Sequence, residues 1–352
     1  MDKDNQDCGL PLAYSDAGVD IEAGKRAVEL IKGEVESTRR PEVISDIGGF
    51  GAMFSAAFKG HKDPVLVSSA DGVGTKLQVA QMLERHDSVG IDLVAMCADD
   101  IVTCGAEPLF MLDYISMGKL RPEKIEQIVK GIAAGCRRAG CSLTGGEMAE
   151  HPGVMEEDEY DLSGFVVGVV DREGIIDGSR IAAGDIILGL ASSGLHSNGY
   201  SLVRKVFFEL NDFDPGDNLK GLAGTLGDEL LTPTEIYAPA ILKLAREVDV
   251  KGIAHITGGG LIENLPRILP SHVDAVIDLN SWHPPNIFRI IESMGGVEQV
   301  EMFTTFNMGI GMVVVVGLKG HRQAIQNLGL SHIKATRIGE IHPGTGGICL
   351  TC

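Results

Sequence analysis

The chain has 352 residues, which is enough for two domains on the usual prior of ~150 residues each. Hydrophobic residues make up 44% and charged residues 22% of it, as in an ordinary globular protein, and its 46 glycines favour a loop-rich α/β protein. The formal net charge of −19 excludes nucleic acid as the main partner, because binding a phosphate backbone needs clustered Lys and Arg.

The apolar runs and the two ends of the chain bear on its location. No apolar run reaches the ~18 residues of a membrane span, and residues 1–10 are too polar for a secretory signal, so we expect a cytoplasmic protein with no membrane partner.

The seven cysteines are odd in number, and four lie in apolar segments, which predicts reduced thiols. Cys349 and Cys352 form a CxxC motif without a second pair. We interpret residues 346–352 as a loose tail rather than as a redox or metal site.

In the first half, apolar periodicity predicts three helices and three strands. The predicted helices cover 21–38, 88–104 and 122–139, the last with a proline in its first turn. The predicted strands cover 64–69, 108–116 and 160–170. Short polar turns follow at 171–184, where we place the boundary between a first domain, 1–172, and a second domain, 173–345.

The second half repeats this alternation. Strands are predicted at 185–190, 273–279 and 309–317, and helices at 198–210, 234–247, 261–269, 286–294 and 320–328. Strands that alternate with helices in both halves predict the α/β (or α+β) class.

One glycine-rich stretch joins the first strand to an apolar helical run, and it reads Asp71-Gly72-Val73-Gly74-Thr75-Lys76. Its glycines let the backbone approach a ligand and turn its N–H groups inward. Lys76 adds positive charge at a helix start, and Asp71 suits a metal that bridges a carboxylate and phosphates. The stretch predicts Mg-nucleotide binding without the common P-loop, and the alternative is an ordinary surface turn.

Two further acids are candidate ligands of the same metal. Asp100 lies beside Asp99 inside an apolar helix, where a buried carboxylate is costly unless it is paired or bound to metal. The alternative is a capping or solvent-facing acid. Glu147 follows two glycines and suits a metal ligand or a base, although a helix C-cap followed by a loop also explains this glycine turn. Weaker candidates of the same kind are Asp92 and Asp113.

Three more glycine-rich segments predict anion binding. Gly48 and Gly49 belong to a loop of the kind that closes over a phosphate. Residues 191–201 and 255–260 each combine hydroxyls, a histidine and glycines before a helix, which predicts a second anion site. Its candidate binding residues are Ser197, Asn198, Thr257, Gly258 and Gly259. No GxSxG elbow occurs, which argues against a serine hydrolase.

These motifs, taken in order, resemble the aminoimidazole ribonucleotide synthetase (phosphoribosylformylglycinamidine cyclo-ligase) family of purine biosynthesis. The matching segments are 14–21, 48–51, 71–76, 90–97, 105–110, 196–201, 255–260 and 305–312. The resemblance implies a homodimer whose N-terminal strands form a shared β-barrel, with a C-terminal α/β domain with a mixed sheet on each subunit. It also implies ATP-dependent ring closure of formylglycinamidine ribonucleotide to aminoimidazole ribonucleotide, with release of ADP and phosphate.

The resemblance divides the candidate residues into an ATP end and a substrate end. It implies that Asp71, Asp100 and Glu147 hold Mg²⁺ and the triphosphate, and that Lys76 and the glycine segments neutralise the phosphates. Candidate groups for proton transfer are His196, His255 and Glu147. Phosphoryl transfer needs mainly positioning and charge neutralisation, so no protein nucleophile is required.

The chain departs from the family pattern at three positions, and related families are alternatives to this assignment. The family usually has Asn at Asp99, Thr at Met148 and Met at His151. Selenophosphate synthetase, thiamine-monophosphate kinase, the hydrogenase-maturation dehydratase and formylglycinamidine ribonucleotide synthetase use ATP on related folds. Cys8 and Cys352 are the single residues that favour two of these rivals. A nucleotide-binding regulator without catalysis is the remaining alternative, and the intact acids argue against it.

Overall fold

The first half of the chain builds a four-stranded sheet with helices on one face. The computed structural model describes residues 20–49 and 51–351. The elements up to residue 171 are α1 (Ile21–Glu36), β1 (Pro64–Gly72), α2 (Lys76–Met82), α3 (Asp87–Val102), β2 (Glu107–Met117), α4 (Pro122–Ala139), β3 (Ser142–Glu150) and β4 (Tyr160–Asp171). The strand order is β1-β4-β2-β3; β2 and β3 are parallel and the other pairs are antiparallel.

The two faces of this sheet differ in burial. Along β4, Leu162, Gly164 and Val166 are buried and alternate with exposed residues, as the period of two in a strand requires. The buried face lies against α3, and α4 packs in turn on α3 and α1. The opposite face presents Leu66 and Phe165, which are 58% and 41% exposed. Among the residues that the structure describes, none covers these apolar side chains of the sheet.

The second half builds a six-stranded mixed sheet. Its elements are β5 (Ile186–Ala191), α5 (Tyr200–Arg204), α6 (Leu226–Leu230), α7 (Ala238–Glu247), β6 (Val250–His255), α8 (Gly260–Asn264), β7 (Val273–Asp278), α9 (Asn286–Gly295), α10 (Gln299–Thr305), β8 (Ile310–Val316), α11 (His321–Leu330), β9 (Ala335–Pro343) and β10 (Ile348–Thr351). The strand order is β10-β7-β9-β5-β8-β6, and β10 is parallel to β7 while the other pairs are antiparallel. All seven residues of β8 are buried, so this strand forms the core of the second half.

A buried ion pair joins the two halves. Lys76 is 0% exposed, and its Nζ lies 2.9 Å from the Asp92 carboxylate of α3. The same Nζ donates to the carbonyl oxygens of His196 at 3.0 Å and Thr232 at 2.7 Å. Asp92 also accepts from the backbone N–H of Thr234 at 2.7 Å. The start of α2 is thereby fixed to the second half.

A second acid of α3 makes a similar connection. Asp99 is fully buried, and its Oδ1 accepts from the backbone N–H groups of Tyr237 and Ala238, each at 2.9 Å. These groups open α7, whose own N-cap residue supplies no side-chain hydrogen bond. Asp99 therefore caps α7 from another helix.

The α/β class with mixed sheets is confirmed, and most predicted elements form within a few residues of their expected bounds. The interpretation of 144–153 as a glycine turn is wrong for residues 144–150, because Gly145 and Gly146 pair with β2 inside β3. The tail is not loose either. Residues 348–351 form β10, and Asp274 accepts from the N–H groups of Thr345 and Gly347 at 2.7 Å. The strands β6 and β9 and the helices α6 and α10 were not predicted.

Several expectations lie outside the described residues, namely those on residues 1–19, including Cys8, and those on Phe50 and Cys352. The domain boundary at residue 172 stays a prediction. The five cysteines that the structure describes are free thiols. Within residues 20–49 and 51–351, no helix combines the length and the apolar character needed to cross a membrane.

Candidate functional site

A cleft between the two halves contains most of the predicted binding residues. Two cavities of about 490 and 480 Å³ adjoin there, and Asp71 and Thr257 line both. The predicted residues that line the first cavity are Asp71, Gly72, Val73, Gly74, Ser197, Asn198, Thr257 and Gly258. The fold therefore brings the predicted nucleotide end and the predicted substrate end into one cleft.

The glycine turn after β1 presents backbone to this cleft. A Cβ on Gly72 would lie 3.0 Å from the carbonyl oxygen of Leu162, and Gly74 has a φ of +72°, a left-handed conformation that favours glycine. Val73 is 1% exposed, so its side chain belongs to the core. Thr75 is exposed, and its hydroxyl lies 3.1 Å from that of Ser201 rather than in either cavity.

The second cavity contains a carboxylate–imidazole pair. Asp100 accepts from the Ser69 hydroxyl at 3.0 Å and lies 2.9 Å from Nδ1 of His255. The Nε2 of His255 is buried and has no hydrogen-bond partner in the described chain. Burial lowers the pKa of His255, but the bond to Asp100 and the charges of neighbouring acids outweigh it, so that the pKa is raised. The arrangement favours an imidazolium with one free donor.

Asp71 and Asp100 fit a magnesium ion. Burial is the main cause that raises the pKa of Asp71, and repulsion from Asp100 adds to it, while the Gly72 N–H opposes both. A divalent cation would relieve that repulsion. Mg²⁺ takes one or two protein carboxylates and completes its shell with phosphate oxygens and water. No three His, Cys, Asp or Glu residues of the described ranges form a complete metal cluster, so ligand oxygens would supply the rest.

The structure separates Glu147 from this pair. Asp71, Gly164, Asp113 and Gly146 face one another in a row across β1, β4, β2 and β3. The two outer strands lie three strand spacings apart, roughly 14 Å. Glu147 is exposed at the far edge, so within one chain it joins neither the predicted metal site nor the catalytic pair.

Glu147 lines a third cavity instead, of about 430 Å³, together with Gly48, Gly49 and Asp113. Burial raises the pKa of Asp113 to about 7. A Cβ on Gly146 would lie 2.1 Å from Oδ1 of Asp113, so this position needs glycine. The predicted glycine loop and Glu147 therefore meet each other, but not the cleft.

The structure places Lys76 in a buried ion pair outside both cavities of the cleft, whereas the sequence suggested that it contacts phosphates. Its three donors are used by Asp92 and two backbone carbonyls, and the side chain is fully buried. Burial lowers the pKa of Lys76, and the attraction of Asp92 opposes this shift. The same pair excludes Asp92 as a free metal ligand.

His196 is also placed differently from its predicted role in proton transfer. It is 1% exposed, and its Nε2 accepts from the backbone N–H of Ser193 at 3.2 Å. Burial, with the nearby charges of His255 and Lys76, holds its pKa well below the usual range. His196 therefore lies outside both cavities as a buried imidazole, and its part in proton transfer stays a prediction. Gly259 likewise lies at the start of α8 with a φ of +93° and lines neither cavity of the cleft.

Sequence reasoning gave no role to several residues of the cleft, and four of them are polar groups that the site can use. They are Ser69, which donates to Asp100, and three residues that line the cavities: Asp161, Asn264 and Arg267. Ser69 precedes the glycine turn by two residues, so strand alternation offered a signal for it. The other three carry no local motif.

Comparison with known proteins gives two family matches. Residues 55–170 match a family model described as AIR synthase related protein, N-terminal domain, and residues 182–349 match the corresponding C-terminal domain. The chain is 55% identical over 330 residues to a phosphoribosylformylglycinamidine cyclo-ligase of Geotalea uraniireducens (strain Rf4), covering 94% of this chain and 95% of the relative. It is 54% identical over 341 residues to the protein of that name from Alkaliphilus oremlandii (strain OhILAs), covering 97% and 100%.

Solved structures share the fold at low identity. A thiamine-monophosphate kinase from Stenotrophomonas maltophilia K279a superposes with a TM-score of 0.71 at 19% identity, covering 92% of this chain and 95% of that one. The hydrogenase maturation protein HypE in complex with ATP gives a TM-score of 0.66 at 16% identity, covering 92% and 90%. At this identity the likeness concerns the fold alone.

Proposed function

Because the chain belongs to the AIR synthase related family, we propose that it is an ATP-dependent cyclo-ligase of purine biosynthesis. It would close the ring of formylglycinamidine ribonucleotide to give aminoimidazole ribonucleotide, ADP and phosphate. The observation that carries the proposal is the cleft, in which the glycine turn and the carboxylates Asp71 and Asp100 meet the polar loops of the second half. The thiamine-monophosphate kinase and the hydrogenase maturation protein share only the fold, so they support no competing activity.

The proposed reaction assigns a part to each group of the cleft. The formyl oxygen of the substrate takes the γ-phosphoryl group of ATP, the amidine nitrogen attacks the activated carbon, and phosphate leaves with that oxygen. Asp71 and Asp100 would hold Mg²⁺, which neutralises phosphate charge when bound. The glycine turn offers backbone N–H groups to the phosphates. His255, held by Asp100, donates from its free Nε2 towards the developing negative charge.

The test measures ADP release by the purified full chain with ATP, Mg²⁺ and formylglycinamidine ribonucleotide. We expect ADP and aminoimidazole ribonucleotide in equal amounts, and no ADP without the ribonucleotide. Asp100→Asn should lower kcat by roughly a hundredfold or more while circular dichroism stays unchanged. Asp158→Asn, at an exposed acid outside the cleft, is the control. ADP release that ignores the ribonucleotide, or normal turnover of Asp100→Asn, would contradict the proposal.

We further propose that two copies form a homodimer through the uncovered face of the first sheet. Leu66, Tyr114 and Phe165 are 58%, 41% and 41% exposed on β1, β2 and β4, and an apolar patch of this kind marks a contact surface. Two four-stranded sheets closed edge to edge make an eight-stranded barrel. A twofold axis along that barrel would place β3 of one copy beside β1 of the other, so that Glu147 reaches the partner's cleft.

Subunit complementation tests this arrangement. Asp71→Asn and Glu147→Gln are each expected to inactivate the homodimer. A refolded mixture should regain roughly a quarter of wild-type activity, because half of the dimers are mixed and each mixed dimer keeps one intact site. A mixture as inactive as its components would place Glu147 outside the shared site.

A cytoplasmic location stays a prediction.

A further inference from the structure

The cleft between the two halves needs a source of positive charge. Both proposed substrates are anionic, yet Asp71, Asp100 and Asp161 line its cavities and the chain carries a net charge of −19. Lys76, which the sequence suggested for this purpose, is committed to Asp92 and two carbonyls. Another cation must therefore face the substrate.

Arg267 is the one Lys or Arg among the described residues that line these two cavities. It is exposed, and its side chain makes no ion pair or hydrogen bond with any residue in the described ranges. A free guanidinium at a cavity wall offers paired N–H donors, whose planar geometry matches phosphate oxygens.

The segment that carries Arg267 is rigid. Residues 265–268 form a short 3₁₀ turn after α8. Asn264, 3% exposed, donates from Nδ2 to the carbonyl oxygens of Gly258 at 3.1 Å and Gly260 at 2.8 Å. Leu265 is fully buried. Arg267 is therefore mounted on the same loop that forms the wall of the cleft.

The same cavity contains a buried polar atom without a partner. The Nε2 of His255 is buried without a partner in the described chain, and His255 and Arg267 line one cavity of about 480 Å³. Buried polar atoms are rarely left unpaired, so this atom points to a ligand. This cavity lies beside the one formed by the glycine turn, with Asp71 and Thr257 between them.

We propose that Arg267 binds the phosphate monoester of the ribonucleotide substrate, and so makes the enzyme select a phosphorylated over a free riboside. This inference rests on the proposed cyclo-ligase function. The phosphate of the ribonucleotide is chosen over a phosphate of ATP because Arg267 lines the cavity away from the glycine turn.

Steady-state kinetics of the full chain test the assignment. Arg267→Ala should raise KM for the ribonucleotide at least ~tenfold at saturating ATP and leave KM for ATP within about twofold. The KM of Arg267→Lys for the ribonucleotide should lie between those of the wild type and Arg267→Ala, because lysine keeps the charge but lacks the paired N–H donors. Arg246→Ala, at an exposed arginine in the last turn of α7, is the matched control and should change neither constant. A rise in KM for ATP alone, or no change in either constant, overturns the proposal.

Two further measurements separate this proposal from the function on which it rests. Removing the phosphate from the substrate should lower kcat/KM at least ~tenfold for the wild type but less than about threefold for Arg267→Ala, and equal losses would contradict the assignment. Calorimetry with ribose 5-phosphate and with ribose needs no turnover, and the wild type alone should prefer the phosphate. Arg267-dependent binding without ribonucleotide-dependent ADP release would overturn the function and keep the phosphate site. If ribonucleotide-dependent turnover is observed but Arg267→Ala still binds ribose 5-phosphate as the wild type does, the phosphate site is overturned and the proposed function is kept.

Discussion

Asp99 caps α7 with a carboxylate, and the charge of that carboxylate makes the buried cap sensitive to pH. Its Oδ1 accepts both N–H groups at the start of α7, and Oδ2 accepts a second, longer contact from the Tyr237 N–H at 3.1 Å, so the single oxygen of an asparagine would still accept both groups. The second oxygen adds a negative charge that burial disfavours, and burial raises the pKa of Asp99 to about 7, although His255 and the N–H groups oppose the shift. This chain therefore carries a titrating group where a neutral asparagine would make the same cap.

We predict that Asp99→Asn makes stability less dependent on pH. Because the folded pKa of about 7 lies above the unfolded value of ~3.9, the folded state holds an extra proton between these values, and stability falls as pH rises through that window. The variant should gain roughly 1–4 kcal/mol relative to the wild type between pH 4 and pH 7, and nothing more above it. Urea unfolding at several pH values measures this. A difference that stays constant with pH would show that Asp99 does not titrate in this window.

Among the elements, α3 and α4 approach each other through glycine. A Cβ on Gly90 would lie 2.3 Å from the backbone nitrogen of Ile132 and 2.4 Å from the carbonyl oxygen of Ile128. Contacts with backbone cannot be relieved by a side-chain rotation, so any larger residue separates the helices. Since α3 carries Asp99 and Asp100, this close crossing also positions the site.

Gly90→Ala should therefore destabilise the protein by ~2 kcal/mol or more, although alanine is the better helix former by about 1 kcal/mol. Gly33→Ala in α1 is the matched control, because nothing lies within 4 Å of a Cβ at that position. It should stabilise by up to ~1 kcal/mol. Chemical denaturation measures both, and equal effects of the two substitutions would contradict the close helix contact.

The buried pair of α2 and α3 gives a second prediction for the elements. Lys76→Met leaves Asp92 buried without its counter-charge, and should cost about 3–5 kcal/mol of stability. Lys25→Met breaks an exposed pair with Glu22, whose side chains are 67% and 80% exposed, and should cost less than ~1 kcal/mol. At a temperature where the Lys76 variant stays folded, KM for ATP should change less than about threefold. A large rise in KM for ATP in a variant of normal stability would show that Lys76 contacts the phosphates of ATP.

On the scale of the whole molecule, the C-terminal strand and the cleft lie at opposite edges of the second sheet. β10 pairs with β7 at one edge, and β6, which ends at His255, forms the other. Five strand spacings separate them, about 24 Å. Residues 348–351 therefore extend the sheet at the edge away from His255.

Deletion of residues 345–352 should lower the melting temperature by several degrees, because it removes β10 and the two N–H groups that Asp274 accepts. At 25 °C kcat should stay within about twofold of the wild type. Thermal scans and steady-state kinetics on the same preparation measure the two effects. Abolished activity in a folded protein would contradict the separation of β10 from the cleft.

The sequence by itself determined the class, most elements and the motifs of the site. The helix at 122–139 has its predicted bounds, because an apolar stripe with a proline at the start is a local signal. The glycine turn at 71–74 and the loops at 197–198 and 257–258 line the cleft, and the sequence could single them out because their glycines and polar groups stand at consecutive positions.

Only the tertiary structure decided what each charged residue faces. Lys76 and Glu147 looked like ligand contacts, yet one is buried against Asp92 and the other lies three strands away from Asp71. Arg267, which has no motif, lines the cleft. Burial, charge pairing and distance across a sheet depend on residues far apart in the chain, and no local pattern contains them.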